Sequence, residues 1–253
     1  RGTLLPLKAS GHTFAAEVDK QPSNWENLEM RVDERCHSLE DLLTLGIHVG
    51  DFIAVDPQPD LMENGFIVSR HLDDKAGVAV LLGAVKAVID SGVELPVDCH
   101  PLFTISEEVG SGASAILHGD IAEMLTLDNG TTAPGQNSTE YGVTLCMADM
   151  SGPFDYHLTH RLLQICQEFE IPHQRDIFRY YRSDSAAAVE AGNDLRTALA
   201  AFGVDASHGW ERIHWDALQS LAELVALYMQ APPLYERDRN ARGPLAGFST
   251  MPG

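Results

Sequence analysis

Two acidic doublets stand where an apolar run meets small residues and glycine: Asp73-Asp74 in His-Leu-Asp-Asp-Lys-Ala-Gly, and Glu107-Glu108 in Thr-Ile-Ser-Glu-Glu-Val-Gly-Ser-Gly-Ala. A charged doublet beside glycine is by default a solvated turn. Here the same grammar occurs twice, which places four carboxylates at strand ends, where α/β folds keep their chemistry. Converging carboxylates repel one another at neutral pH unless a cation neutralises them, so the expected chemistry is that of a divalent metal site. Asp128, which ends Met-Leu-Thr-Leu-Asp before Asn129-Gly130, and His208, in Asp-Ala-Ser-His-Gly-Trp-Glu-Arg, extend the set. Carboxylates with an imidazole suit Zn²⁺, Co²⁺ or Mn²⁺, whereas an all-oxygen set suits Mg²⁺ or Ca²⁺; the histidine tilts the choice to zinc or cobalt.

These residues need elements to hold them. Before about residue 66 the chain reads as a small β-rich unit, with strands at 3–7, 28–32 and 52–55 and a short helix near 38–45 that Ser38 can cap. From about residue 67 strand and helix alternate, which predicts an α/β fold: a mixed or mostly parallel sheet flanked by helices. Strands are expected near 66–72, 99–106, 122–128, 142–147, 175–180 and 198–203, and helices at 75–91, 111–119, 153–170, 183–192 and 214–230. The last helix carries apolar residues at 218, 221, 225 and 228, a stripe facing a core. The domain reading is 1–66, 67–231 and a tail at 232–253, because the segment after Pro232-Pro233 has no periodicity.

Composition bounds the function. Seventeen basic against 37 acidic residues give a net charge of -20 over 253 residues, which disfavours nucleic acid and anionic membranes and favours metal ions or substrates bearing an amine. No stretch approaches the roughly 18–20 apolar residues of a membrane span. The four cysteines, Cys36, Cys99, Cys146 and Cys166, are far apart and form no CxxC pair, so a reducing cytoplasm is expected. The chain starts at Arg1 with no leader in view, and the two Asn-x-Thr matches at Asn129 and Asn137 are read as chance.

Taken together, Leu-Asp-Asp-Lys-x-Gly after a strand, Glu-Glu-Val-Gly-x-x-Gly-Ala, Asp-Asn-Gly after a strand, Arg182-Ser-Asp184-Ser and the late Ser-His208 make the chain resemble a known family from Arg1 to about Met229. That family is the co-catalytic dinuclear metallo-aminopeptidases, which include glutamyl aminopeptidase and the large tetrahedral aminopeptidase assemblies. Its wording at Leu-Pro-Leu-Lys-Ala-Ser-Gly-His-Thr-Phe looks like a bacterial branch associated with a glutaminylglutamine-type osmoprotectant. The resemblance implies a zinc-peptidase-like fold in which residues 1–66 are what remains of a small inserted β domain. It implies two divalent ions, a short peptide or amide substrate, and a homo-oligomer.

By the same resemblance Asp73 would bridge the ions, Glu108 and His208 would be terminal ligands on one ion or on one each, and Asp128 would complete a shell. Glu107 would be the general base acting on water. Asp74 would shape the turn around a strained peptide bond, and Asp184 would orient a ligand histidine or the substrate amine. The family's first ligand is a histidine in a His-x-Asp segment ahead of the inserted domain, which this chain does not contain. His71, two residues before Asp73 and so on the same strand face, is the nearest substitute.

Two competing readings follow from the same residues. One is an inactive fragment or assembly scaffold of such an enzyme, with apolar faces left uncovered. The other is a glycosidase with two of the carboxylates as acid and nucleophile, which leaves His208 unexplained.

Overall fold

A computed structural model describes residues 1–234, and the chain divides into two compact units, Arg1–Val55 and the segment from Asp56 onward. The expected tail lies, beyond Leu234, outside the described residues.

The first unit holds one antiparallel pair, β1 (Gly2–Pro6) on β2 (Leu28–Val32), with Gly2 opposite Val32 and Pro6 opposite Leu28. Between them lies a short helix, α1 (Gly11–Phe14), and after them α2 (Leu39–Thr44). Helix α2 forms where the sequence offers a reciprocal cap: Ser38 Oγ accepts from Asp41 N while Asp41 accepts from Ser38 N. No described residue of this unit is buried. The expected strand at 52–55 is absent; Phe52 is wholly exposed, and an apolar run without a partner strand has no ladder to join.

The second unit is built on a mixed sheet. In chain order it contains β3 (Asp60–Leu61), β4 (Phe66–Ser69), α3 (Leu72–Ser91), β5 (Glu123–Thr131), β6 (Val143–Asp149), β7 (Gly152–Pro153), α4 (Tyr156–Glu168), β8 (His173–Ile177), α5 (Asp184–Glu190), β9 (Arg196–Val204), β10 (Glu211–His214) and α6 (Trp215–Gln230). The order in the main sheet is β5-β9-β6-β7, with β8 also on β6; β5 and β9 are parallel, β9 and β6 antiparallel, β6 and β8 parallel. A smaller antiparallel sheet runs β10-β4-β3.

Burial explains why β9 and β6 take the centre. Successive side chains of a strand face opposite ways. In β9, Ala198, Ala200, Phe202 and Val204 join one apolar cluster with α3, α4 and α6, while Leu199 joins Cys146, Phe154 and Phe178 in a second. A strand buried on both faces reads as a continuous apolar run, as Thr-Ala-Leu-Ala-Ala-Phe does. Of the expected α6 stripe, Leu218, Leu221 and Val225 are buried and Tyr228 partly so, and Leu224 joins them; each fully buried aliphatic side chain contributes about 1.5–3 kcal/mol by leaving water. All four cysteines are free, and no helix among the described residues is long and apolar enough to cross a membrane.

Past residue 66, two expected elements are absent and one unexpected strand is present. Residues 99–106 form no strand, because Pro101 lacks a donor and no described strand lies beside them. Residues 111–119 form no helix; Ala113 N donates to Asp184 Oδ1 (3.0 Å) rather than to a helical carbonyl. The short strand β10 escaped the pattern, since Glu-Arg-Ile-His carries a single aliphatic residue.

Candidate metal centre

Asp73 and Asp74 open α3 where strand β4 has ended at Ser69. The residues at 73 and 74 do not have helical φ and ψ, and the peptide between them is cis. Gly77 is required one turn on: a Cβ there would stand 2.3 Å from Asp74 Oδ1. Asp128 lies within β5 rather than at its end, opposite Ala201, and is buried. Glu107 and Glu108 occupy a single 3-10 turn, Glu107–Val109. His208 sits in the turn between β9 and β10 with φ of 64°, the left-handed region.

These segments meet in a cleft of ≈ 510 Å³ lined by Asp73, Glu107, Glu108, Asp128, Asp184 and His208, together with Gln136 and the segment Phe178–Asp184. His208 Nε2 is 3.2 Å from Asp73 Oδ2 and 3.3 Å from Glu108 Oε2. Possible ligand atoms form two groups, Asp73 with Glu108 and His208, and Asp73 with Asp74 and Asp128, and within each group the atoms all lie within 4.8 Å of one another. His71 is in neither group; it is exposed, adopts the left-handed conformation at φ 62° and stands at the N-cap of α3, off the end of the strand.

The electrostatics are those of crowded acids. Burial, then the charge of Glu108, pushes Asp73 up to about 6. Burial, then Asp184 and Glu108, pushes Glu107 up to about 7. Asp74 and Asp128 are raised well above the usual carboxylate range, first by burial and then by neighbouring carboxylates, Asp128 and Asp73 for the one and Asp73 for the other. Asp74 Oδ1 and Asn129 Oδ1 are buried without a hydrogen-bond partner. Orphaned acceptors among mutually repelling carboxylates are the surroundings a divalent cation relieves, and an oxygen set joined by one imidazole nitrogen fits a first-row metal.

Asp184 makes its bonds elsewhere than the pattern suggested. It accepts from Thr104 Oγ1 (2.6 Å) and Ala113 N (3.0 Å), so it pins the loop that carries Glu107 and Glu108. A Cβ on Gly112 would stand 2.3 Å from its Oδ1, which accounts for that glycine. Two residues of the site carried no sequence signal. Tyr181 brings a buried hydroxyl beside Asp128, whose charge adds to burial in raising the phenol. Glu211 is a buried carboxylate beside the backbone of Asp73 and His208. Neither stands in one of the acidic or glycine-rich motifs, so only the folded neighbourhood reveals them.

A mixed α/β sheet between helices, with acids and an imidazole gathered in one cleft, defines the class as an α/β protein of peptidase fold. Within that class the chain belongs to the M42 glutamyl aminopeptidase family, whose model matches residues 1–224. It is 40% identical over 231 residues to YhfE of Bacillus subtilis (strain 168), itself named only as a candidate aminopeptidase, covering 91% of this chain and 66% of that one. Among solved structures it resembles the aminopeptidase APDkam598 from the archaeon Desulfurococcus kamchatkensis, with a TM-score of 0.75 at 20% identity over 97% of this chain and 69% of the other. It also resembles the Pyrococcus horikoshii TET1 peptidase, which can assemble into a tetrahedron or a large octahedral shell. There the TM-score is 0.71 at 22% identity over 88% of this chain and 67% of that one. The chain thus spans about two thirds of the length of the relatives it matches.

Proposed function

We propose that the chain carries the site of a metal-dependent aminopeptidase that removes a residue from the amino end of short peptides or of an amide-bonded small molecule. The observation that carries this reading is the meeting of Asp73, Glu108 and His208 around one point, with Glu107 beside them. Two divalent ions fit the two ligand groups, zinc or cobalt foremost and manganese third: Asp73 shared, Glu108 and His208 on one ion, Asp128 on the other. Bound there, the ions would polarise the scissile carbonyl and acidify water.

The chain's own residues do the rest. Glu107 takes the proton of the attacking water and returns it to the leaving amine, and a carboxyl held near neutrality by burial suits that exchange. Asp184 holds its loop in place, Asp74 shapes the turn at Asp73, and the acid-lined cleft attracts an N-terminal ammonium. Residues 1–66, which include the compact unit Arg1–Val55, are read as what remains of an inserted domain. A homo-oligomer is supported by the shells of the TET1 peptidase, and a reducing cytoplasm by the four free cysteines. In Glu107→Gln, turnover of aminoacyl substrates is expected to fall by about 10²- to 10⁴-fold with metal content unchanged by elemental analysis. Undiminished turnover would remove Glu107 from this role.

A second reading, an inactive fragment or scaffold, is favoured by one set of observations. Val78, Leu82 and Ile89 of α3 and Ile105 of the unpaired 99–106 run are exposed. Metal titration separates the readings: binding of two ions supports a complete site, and one or none supports the fragment.

A further inference from the structure

Glu211 lies in β10 opposite Ser69 of β4 and is 1% exposed. A buried carboxylate needs donors, and it has three, all from the backbone. Leu72 N (2.5 Å) and Asp73 N (3.1 Å) donate to Oε2, and His208 N (3.0 Å) donates to Oε1. The first two belong to the start of α3, whose N-cap residue His71 makes no side-chain cap hydrogen bond to the helix. One side chain therefore joins two turns that are far apart in sequence. Each turn holds a non-glycine residue in the left-handed region, His71 at φ 62° and His208 at φ 64°, which the surroundings must maintain.

We propose that Glu211 is the positioning residue of the metal centre: each of its oxygens fixes the backbone of one ligand, Asp73 or His208, and so sets the spacing between them. The inference rests on the metal-site reading above. The 3.2 Å approach of His208 Nε2 to Asp73 Oδ2 is what this bracing maintains. A neutral residue would spare Asp73 the repulsion of another carboxylate. No neutral side chain, however, offers one acceptor oxygen to each turn. Glutamine keeps a single oxygen and turns an amide N–H₂ toward one of the backbone donors, so one turn loses its anchor.

Bracing of ligands is distinguishable from ordinary stabilisation by a matched control. Asp176 is also buried and also gathers backbone donors, Asn137 N (2.7 Å) and Ser138 N (2.9 Å), together with Gln136 Nε2 (3.0 Å), but it touches neither ligand turn. Co²⁺ is titrated into the 253-residue chain and into Glu211→Gln and Asp176→Asn, with affinity, visible absorption and melting temperature recorded. Glu211→Gln is expected to lose about 10- to 100-fold in cobalt affinity and to change the absorption bands. Asp176→Asn is expected to melt earlier with affinity and bands intact.

Wild-type affinity and bands in Glu211→Gln would overturn the proposal, as would equal cobalt losses in both variants. Should Glu211→Gln fail to fold, Glu211→Asp serves: it keeps the charge but is one methylene too short to reach both turns, and the same outcomes apply. A wild-type chain that binds no cobalt would defeat the metal reading. Amide exchange at Leu72 and His208, measured without metal, then judges the bracing by itself, and unchanged exchange in the variant overturns it.

Discussion

Asp73 belongs to two groups of possible ligand atoms that differ in depth and in chemistry. With Glu108 and His208 it forms a group in which both partners are exposed and one is an imidazole; with Asp74 and Asp128 it forms a group of carboxylates alone, the last of them buried. In the first group the imidazole offsets part of the repulsion, and solvent reaches the ligands. In the second, no cationic side chain offsets it, hydrogen bonds such as that from Asn129 N to Asp128 do so only in part, and the scaffold of β5 and α3 holds the acids together regardless. On the metal reading proposed above, the contrast assigns an exchangeable position to the first group and, to the second, one whose occupancy is coupled to the stability of the fold.

The largest break comes at the shared residue. Asp73→Asn removes a charge from both groups at once, so elemental analysis is expected to find neither ion retained and turnover at background. Retention of metal at the wild-type stoichiometry would deny Asp73 the shared role. The second test uses pH. The carboxyls of Asp73 and Glu107 lie at about 6 and about 7, above their ordinary 3.8 and 4.5. The folded, metal-free chain therefore keeps protons that the unfolded chain has released, and its stability falls as pH rises from about 4 through about 7. For Asp73 alone the loss is about 3 kcal/mol. Thermal melts of metal-free protein across this window are expected to show the decline, and saturating zinc to flatten it. A decline that zinc leaves untouched would detach the buried acids from metal binding.

Which parts of this were legible in the sequence depends on how local each signal is. Asp73, Glu107, Glu108, Asp128 and His208 stand in short motifs after apolar runs, and the cleft brings them together. The two-faced burial of β9 was legible for the same reason, as an unbroken apolar run. A strand, by contrast, is a relation between segments. The apolar run at 99–106 has no strand beside it and forms none, whereas the polar Glu211–His214 becomes β10 because β4 lies alongside. Asp184 was legible as a residue of the site but not in its bonds, since Thr104 and Ala113 reach it only through the fold. Glu211 was invisible, because its three donors belong to turns that the chain brings together from afar.

The finest test pits one group against the other. His208→Ala removes a ligand from the open group alone and is expected to cost one ion, with little change in the melting temperature of metal-free protein, because the imidazole is mostly exposed. Asp128→Asn acts on the buried group and carries the opposite sign. The amide keeps the oxygen that accepts from Asn129 N (2.7 Å) while removing a charge that repels Asp73 and Asp74. The metal-free variant should therefore melt about 2–4 °C higher than wild type at pH 7.5, a gain on the order of 1 kcal/mol. With zinc present the order should reverse, since wild type regains through the ion what the variant cannot. Calorimetry of both proteins with and without zinc checks the crossing. Parallel shifts in the two conditions would mean that the buried carboxylates are paired by something other than a cation, and that the difference between the two groups is one of depth alone.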